Sequence, residues 1–454
     1  MASGSPRRNG SLRSMRAFGR PDRSVLKWLY PGMHVKRWLA LLLLGVAVMG
    51  LGIAYLLREV YVTYTFPGAF YYLTLQFFPR FVRGILFMCV SLGMIFFAVW
   101  HLNRSLLSAV MLPGRTDRMV DLVYNARFRS RGPRIVAIGG GTGLSQLLLG
   151  LKEHTGNLTA VVTVGDDGGS SGRLREDMGM LPPGDVRNCI AALAETEPLM
   201  RSLFQYRFEK GTGLGGHSFG NLFIAALTDL MGGNFEEAVR ATSRVLAVRG
   251  QIVPSTTADV QLGAKFDDGG VVWGESNITH QGKRIDQLYI RPEHAHAYPE
   301  AVDAIRLADM IVIGPGSLYT SVLPNLLVRE IRDAIRVSHA VKVYVSNVAT
   351  QHGETDGFSV ADHISAIETH VGRGLVDYVF ANSNVADTLP EEWMSRAVAV
   401  DPHRIPHIRV VQEDVVREDK RYHHDPAKLA AGLIRLYYDR EPANRLPQAV
   451  ISGS

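Results

Sequence analysis

Glycine supplies the first chemical signal in this 454-residue sequence. Gly139-Gly140-Gly141-Thr142-Gly143-Leu144 follows directly on the apolar run 134–138. Glycines at such a place let backbone N–H groups approach an anion at the start of a helix, so the turn suits a phosphate. It does not match G-x-G-x-x-G, because Leu144 holds the last position, and no Lys follows to make a P-loop. NAD binding and ATP hydrolysis are therefore disfavoured. A second loop, Gly165-Asp166-Asp167-Gly168-Gly169-Ser170-Ser171-Gly172, sets two adjacent carboxylates among glycines and serines. Asp166 and Asp167 could hold Mg²⁺ with waters completing the shell. They could equally accept from sugar or ribose hydroxyls, or simply cap their own turn. Arg173 and Arg175 follow closely enough to balance their charge.

Further polar residues gather at helix starts. Pro182-Pro183-Gly184-Asp185 is a rigid turn with Asp185 as a natural N-cap, which puts Arg187 and Asn188 in the first helical turn. Gly215-Gly216-His217-Ser218-Phe219-Gly220-Asn221 is another glycine-framed start. Neighbours on such a turn point apart, so no nucleophile–base pair or nucleophile elbow is expected from His217 and Ser218. His217 and Asn221 read instead as hydrogen-bonders to a ligand. The pairs His294/His296 and His423/His424 lack zinc-site spacing and read as surface.

These residues need a scaffold that brings them to one edge. Strand candidates are 134–138, 158–164, 309–313, 342–346, 377–381 and 407–411. Helix candidates include 144–153, 185–195, 219–231, 235–246, 323–337 and 426–438. Near-continuously apolar strands separated by helices imply a parallel sheet covered on both faces. Residues 250–290 break the alternation, with short strands near 259–265, 270–273 and 285–290 and Gly/Asp turns, and so predict an antiparallel excursion. Five strands run into small or hydrogen-bonding residues: Gly139 to Gly143, Gly165 to Gly172, Gly314-Pro315-Gly316-Ser317, Ser346-Asn347 and Ala381-Asn382. Ligands of open α/β sheets bind beyond such strand ends.

The charge is unevenly spread. The net +6 divides into 19 basic and four acidic residues up to Arg134, against 30 basic and 39 acidic beyond it. The front is thus +15 and the body −9. Stretches 38–57 and 84–102 carry no charge, and at about 1.5 Å per residue each covers a bilayer core. Nine basic residues precede the first stretch, three lie in 58–83 and seven in 103–134. The positive-inside rule therefore puts both termini and the body in the cytosol, with an aromatic-rich connection outside. The expected order is a disordered basic tail (1–37), a transmembrane hairpin (38–103), a linker (104–133), a nucleotide-binding domain (134–440) and a C-terminal tail (441–454). The basic tail suits anionic lipid; no stacking aromatics alternate with its arginines, which argues against nucleic acid. Two cysteines, Cys89 and Cys189, exclude a disulfide framework.

Seven runs together resemble the YvcK-like group of the CofD superfamily: Ile-Gly-Gly-Gly-Thr-Gly-Leu-Ser, Val-Gly-Asp-Asp-Gly-Gly-Ser-Ser-Gly-Arg-Leu-Arg, Pro-Pro-Gly-Asp-Val-Arg-Asn, Gly-His-Ser-Phe-Gly-Asn-Leu, Gly-Pro-Gly-Ser-Leu-Tyr-Thr-Ser, Asn-Val-Ala-Thr-Gln-His-Gly-Glu-Thr and His-Asp-Pro-Ala-Lys-Leu-Ala. They span roughly 134 to 434, in order. The resemblance implies a Rossmann-like fold with a nucleotide ligand. CofD-type members transfer a phospholactyl group from a guanosine diphosphate-linked donor to the deazaflavin Fo with Mg²⁺. YvcK-type members are regarded as binders of UDP-sugars, notably UDP-N-acetylglucosamine, that regulate carbon flow into cell-wall precursors and cell shape. On this resemblance Gly140, Gly141, Thr142, Gly143 and Leu144 form the diphosphate loop, and Asp167 and Asp185 are the metal-side carboxylates. Gly316, Ser317 and Thr320 are further contacts; Ser170, Ser171, Asn347 and Asn382 complete the expected ligand set. A protein partner in cell-wall precursor synthesis and a homo-oligomer are also expected. Many relatives have Arg where this chain has His423, and Tyr where it has Ala397, which puts ligand choice at those points in doubt.

Overall fold

The computed structural model describes residues 35–63, 77–110, 129–196, 198–385, 394–420 and 422–440, with residues 68, 71, 72 and 75 between the first two segments. The expected basic tail, much of the linker and the C-terminal tail fall outside these. The chain divides into two units, Met1–Arg127 and Phe128–Ser454.

In the first unit, helices α1 (Val35–Thr63) and α2 (Arg80–Val110) contain the two uncharged stretches. Described apolar side chains of both, from Leu41 to Leu57 and from Ile85 to Phe97, are exposed. Among the described residues one segment, Arg80–Ala98, is long and apolar enough to cross a membrane.

The second unit is built on a seven-stranded sheet of order β10-β9-β8-β7-β1-β2-β3 in which every pairing is parallel. Its strands are β1 (Ile135–Gly139), β2 (Leu158–Val162), β3 (Gln251–Pro254), β7 (Met310–Ile313), β8 (Val341–Val345), β9 (Tyr378–Asn382) and β10 (Arg409–Glu413). Successive side chains of a strand face opposite ways, and the core divides accordingly. Ile135, Ala137, Ala160, Val312, Val343 and Phe380 face one apolar layer. Val136, Ile138, Val161, Ile311, Tyr344 and Val379 face the other. On the first face lie α3 (Gly141–Leu151), α5 (Gly184–Leu193), α7 (Phe219–Leu230) and α14 (Pro426–Arg440), which contribute Leu144, Val186, Ile224 and Leu429. The second face receives α10 (Pro299–Leu307), α12 (Arg329–Val337) and α13 (Val360–Val371).

The antiparallel excursion is a separate three-stranded sheet, order β5-β4-β6, from β4 (Gln261–Phe266), β5 (Val271–Trp273) and β6 (Ile285–Arg291). The pattern in 250–290 hid β3, whose four residues pair with β2 as the seventh parallel strand. The helix expected over 323–337 is broken. Leu323–Leu327 (α11) ends at Val328, whose extended backbone separates it from α12, and a π-helical turn, Leu318–Val322, precedes it.

Strand order reverses direction at β1, which lies between β7 and β2. Such a switch point opens a crevice beyond the carboxyl ends of the strands. The loops after β1 and β7 meet there.

Candidate functional site

Gly143 shows how closely those two loops approach. A Cβ on Gly143 would lie 2.6 Å from the carbonyl oxygen of Pro315 in the loop after β7. Only a glycine lets α3 begin against that loop. Asn347, after β8, fixes it from the other side: its Nδ2 donates to Gly316 O (2.9 Å) and its Oδ1 accepts from Gly316 N (3.3 Å). Ser317 Oγ donates to Gln351 Oε1 at 2.6 Å.

Around this junction lies a cavity of about 830 Å³, within the range of small-molecule sites. Gly140, Gly141, Thr142 and Gly143 line it after β1, Asp166 after β2, Gly316, Ser317 and Thr320 after β7, and Asn347 after β8. Asp185 lines it from the first turn of α5.

Asp185 does not cap α5, as the turn suggested; Pro183 occupies the N-cap. Its carboxylate instead accepts the Gly141 N–H at the start of α3, and burial, then the charge of Asp166, push it up to about 6. Asp166 Oδ1 accepts from Gly168 N at 2.9 Å. Burial and the carboxylates around it push Glu275, on α9 (Glu275–His280), up to about 9. Burial raises Glu354 to about 7, although Thr320 Oγ1, Gln351 Nε2 and Tyr319 N donate to it. The floor of the cavity is therefore a set of crowded carboxylates beside a helix N-terminus. That arrangement calls for protons or a cation before a diphosphate can enter.

Several expected contacts stand elsewhere. Asp167 is turned away from the cavity: its Oδ1 accepts from Ser276 N (2.9 Å) and Ser276 Oγ (2.8 Å) in the first turn of α9. The carboxylate that lines the cavity with Asp185 is Asp166, not Asp167. Arg175, expected to balance the pair, donates to Val260 O and pairs with Asp259. Leu144 is wholly buried in the core. Ser170 Oγ lies 3.0 Å from His217 Nδ1 and accepts from Asn221 Nδ2 at 3.0 Å. This buried latch joins the start of α4 (Gly169–Met178) to the start of α7, and none of the three lines the cavity. Ser171 is buried against Gly184. Arg187 donates to its neighbour Asn188 Oδ1 at 2.8 Å, outside the lining. Asn382 is occupied by Asn384 and the Val415 amide.

Gly216-His217-Ser218-Phe219-Gly220 has the Gly-x-Ser-x-Gly spacing of a nucleophile elbow, although none is expected from the sequence. The structure removes it as an elbow, because Ser218 is fully buried and caps α7 by accepting the Asn221 N–H at 3.2 Å. His423 and His424, expected at the surface, line the cavity. His424 is buried, its Nε2 donates to Ser346 O (3.2 Å), and burial lowers its pKa to about 4. It is a neutral ring at physiological pH. His296, by contrast, is exposed beside Glu330. Gln146, Glu275, Thr279, Ser321, Thr350, Gln351, His352, Glu354, Ser395 and Tyr422 are among the lining residues that were not singled out from the sequence. Ser321, Thr350, Gln351, His352 and Glu354 had a signal, inside the Gly-Pro-Gly-Ser-Leu-Tyr-Thr-Ser and Asn-Val-Ala-Thr-Gln-His-Gly-Glu-Thr runs.

Among the described residues no three His, Cys, Asp or Glu side chains are grouped to hold one metal ion. Asp166 and Asp185 still fit Mg²⁺, which takes one or two carboxylates and completes its shell with waters and ligand phosphates.

A model of the family described as 2-phospho-L-lactate transferase CofD matches residues 135–416. A relative in Nostoc sp. is 46% identical over 424 residues, covering 90% of this chain and 92% of its own, and carries the gluconeogenesis-factor name provisionally. The gluconeogenesis factor of Bacillus subtilis is 45% identical over 311 residues, 67% of this chain and 98% of its own. A crystal structure of a UPF0052-family protein from Bacillus halodurans has 43% identity and a TM-score of 0.63, covering 67% of this chain and 99% of that one. The Bacillus subtilis and Bacillus halodurans proteins are thus matched over nearly their whole lengths by about two thirds of this chain. With its glycine loop and its paired Asp166 and Asp185 at one switch point, the chain belongs to the CofD family, in its YvcK-like, gluconeogenesis-factor group.

Proposed function

We propose that this protein is a membrane-tethered binder of a UDP-sugar, UDP-N-acetylglucosamine first among them, that regulates carbon flow into cell-wall precursors and cell shape. The observation that carries the reading is the cavity at the switch point, walled by Gly140 to Gly143 and Gly316 to Thr320. The diphosphate lies over the start of α3, with first-turn amides that no intrahelical carbonyl satisfies. Mg²⁺ on Asp166 and Asp185 would neutralise the diphosphate. Thr320, Asn347, Gln351 and His424 supply donors and acceptors for sugar and base. The gluconeogenesis-factor name of the relatives points the same way. Residues 38–57 and 84–102 are the two spans of the anchor, with the body on the cytosolic side, where wall-precursor enzymes are the partners. Calorimetry on residues 128–454 with UDP-N-acetylglucosamine and Mg²⁺ should give saturable binding. No heat with any UDP-sugar would end this reading.

A second reading, phospholactyl transfer, is favoured by the Asp166–Asp185 pair, which suits a metal that stabilises a diphosphate leaving group. Mg²⁺-dependent turnover of guanosine diphosphate-lactate with Fo would establish it.

A further inference from the structure

Helix α6 (Pro198–Gln205) has no part in the cavity and turns one side chain, Phe204, into the core. Phe204 meets Phe223 edge-on at 6.1 Å. On the outside stand Leu199, 78% exposed, with Met200 and Leu203. The patch continues through the exposed Tyr206 and Leu214 of the next loop. That loop is an ordered platform: Phe208 N donates to His217 O (2.9 Å), Gly216 N to Phe208 O (2.7 Å) and Phe219 N to Tyr206 O (2.8 Å). Tyr206 and Phe208 stack edge-on at 5.3 Å.

Basic side chains rim the patch. Arg207 donates to Gly216 O and Arg173 to Gly215 O, which fixes both beside Leu214. Lys210 is exposed in the same loop. Glu209 and Asp177 are the neighbouring acids. This apolar face with Arg173, Arg207 and Lys210 stands on a body whose residues beyond Arg134 carry a net charge of −9, so the basic rim runs against the charge of the body as a whole.

We propose that α6 and loop 206–214 form a second, interfacial contact with anionic lipid. Leu199, Met200, Leu203, Tyr206 and Leu214 insert among the headgroups, and Arg207, Lys210 and Arg173 pair with lipid phosphates. The contact rests on the reading of residues 38–102 as a membrane anchor. A patch this small binds weakly alone, and a covalent tether to the same membrane raises its effective concentration.

The test is flotation of residues 128–454 with vesicles of equimolar phosphatidylglycerol and phosphatidylcholine. The expected result is binding that weakens with added salt and is absent on phosphatidylcholine alone. Leu199→Gln with Leu203→Gln should reduce binding about tenfold, and Lys210→Glu about fivefold or more. Both variants should keep the thermal midpoint and UDP-sugar binding of the parent, since the altered side chains are exposed. The proposal is overturned by no flotation, by equal flotation of the variants, or by a dimer in sedimentation that the Leu199/Leu203 variant dissolves, which would make the patch an interface between copies. Full-length chain washed from membranes by carbonate would remove the anchor reading while leaving the vesicle result to stand or fall by itself.

Discussion

Asp185 carries the sharpest consequence at the scale of single residues. It accepts the Gly141 N–H while burial, and after it the charge of Asp166, raise its pKa, so its charge helps a diphosphate only through a cation. Asp185→Asn should therefore weaken UDP-sugar binding about tenfold or more with Mg²⁺ present and leave it equal or stronger in EDTA. Calorimetry in the two buffers separates these. A loss of the same size in EDTA would assign Asp185 to the fold instead. The carboxylates also set a pH dependence. Asp185, Glu354 and Glu275 are raised to about 6, about 7 and about 9, so at these three groups the folded state binds more protons than the unfolded one. Their contribution to stability is fully present below the ordinary carboxylate range and is lost as pH climbs from there through about 9. Melting curves of the ligand-free body should show a lower midpoint at alkaline than at mildly acidic pH, and Glu275→Gln should flatten the alkaline part. A midpoint that rises with pH would contradict the assignment.

Packing of α3 is the controlling feature among the elements. Its N-terminus lines the cavity, and Gly150 near its C-terminus lets α14 cross against it. A Cβ there would collide with the Pro426 carbonyl and the Ala430 side chain. Gly150→Ala should therefore cost about 1–3 kcal/mol in urea unfolding and weaken ligand binding as well, because α14 starts two residues after His424. Unchanged stability would mean that the two helices slide apart freely. Elements legible from the pattern were those with long apolar runs. β3 was not, because four residues beside a turn carry too little periodicity. The break at Val328 was not either, since the residues on both sides suit a helix.

Across the whole molecule, the two units differ in what they leave exposed. Exposed apolar residues crowd α1 and α2, whereas the body buries its own in two layers. The full chain should stay in the membrane pellet after carbonate extraction, and a chain lacking residues 1–103 should be released yet retain its ligand affinity. Retention of the shortened chain through a carbonate wash would place the anchor elsewhere. The net positive charge belongs to the front of the chain, +15 up to Arg134 against −9 beyond it.

Local pattern was enough to read the parallel sheet, its antiparallel excursion and the glycine-rich turn after β1. Alternation, helical period and glycine placement act over a few residues and survive without knowledge of partners. Which carboxylates share the cavity was decided by tertiary structure alone. Asp167 pairs with Ser276, 109 positions away, while Glu275 and Glu354 come to Asp166 and Asp185 from other elements. Ser170, His217 and Asn221 became a buried latch, and His424 moved from presumed surface to cavity wall. A side chain's type states what it can bond to. Its partner is set by where distant backbone segments are packed, and a one-dimensional spacing does not contain that geometry.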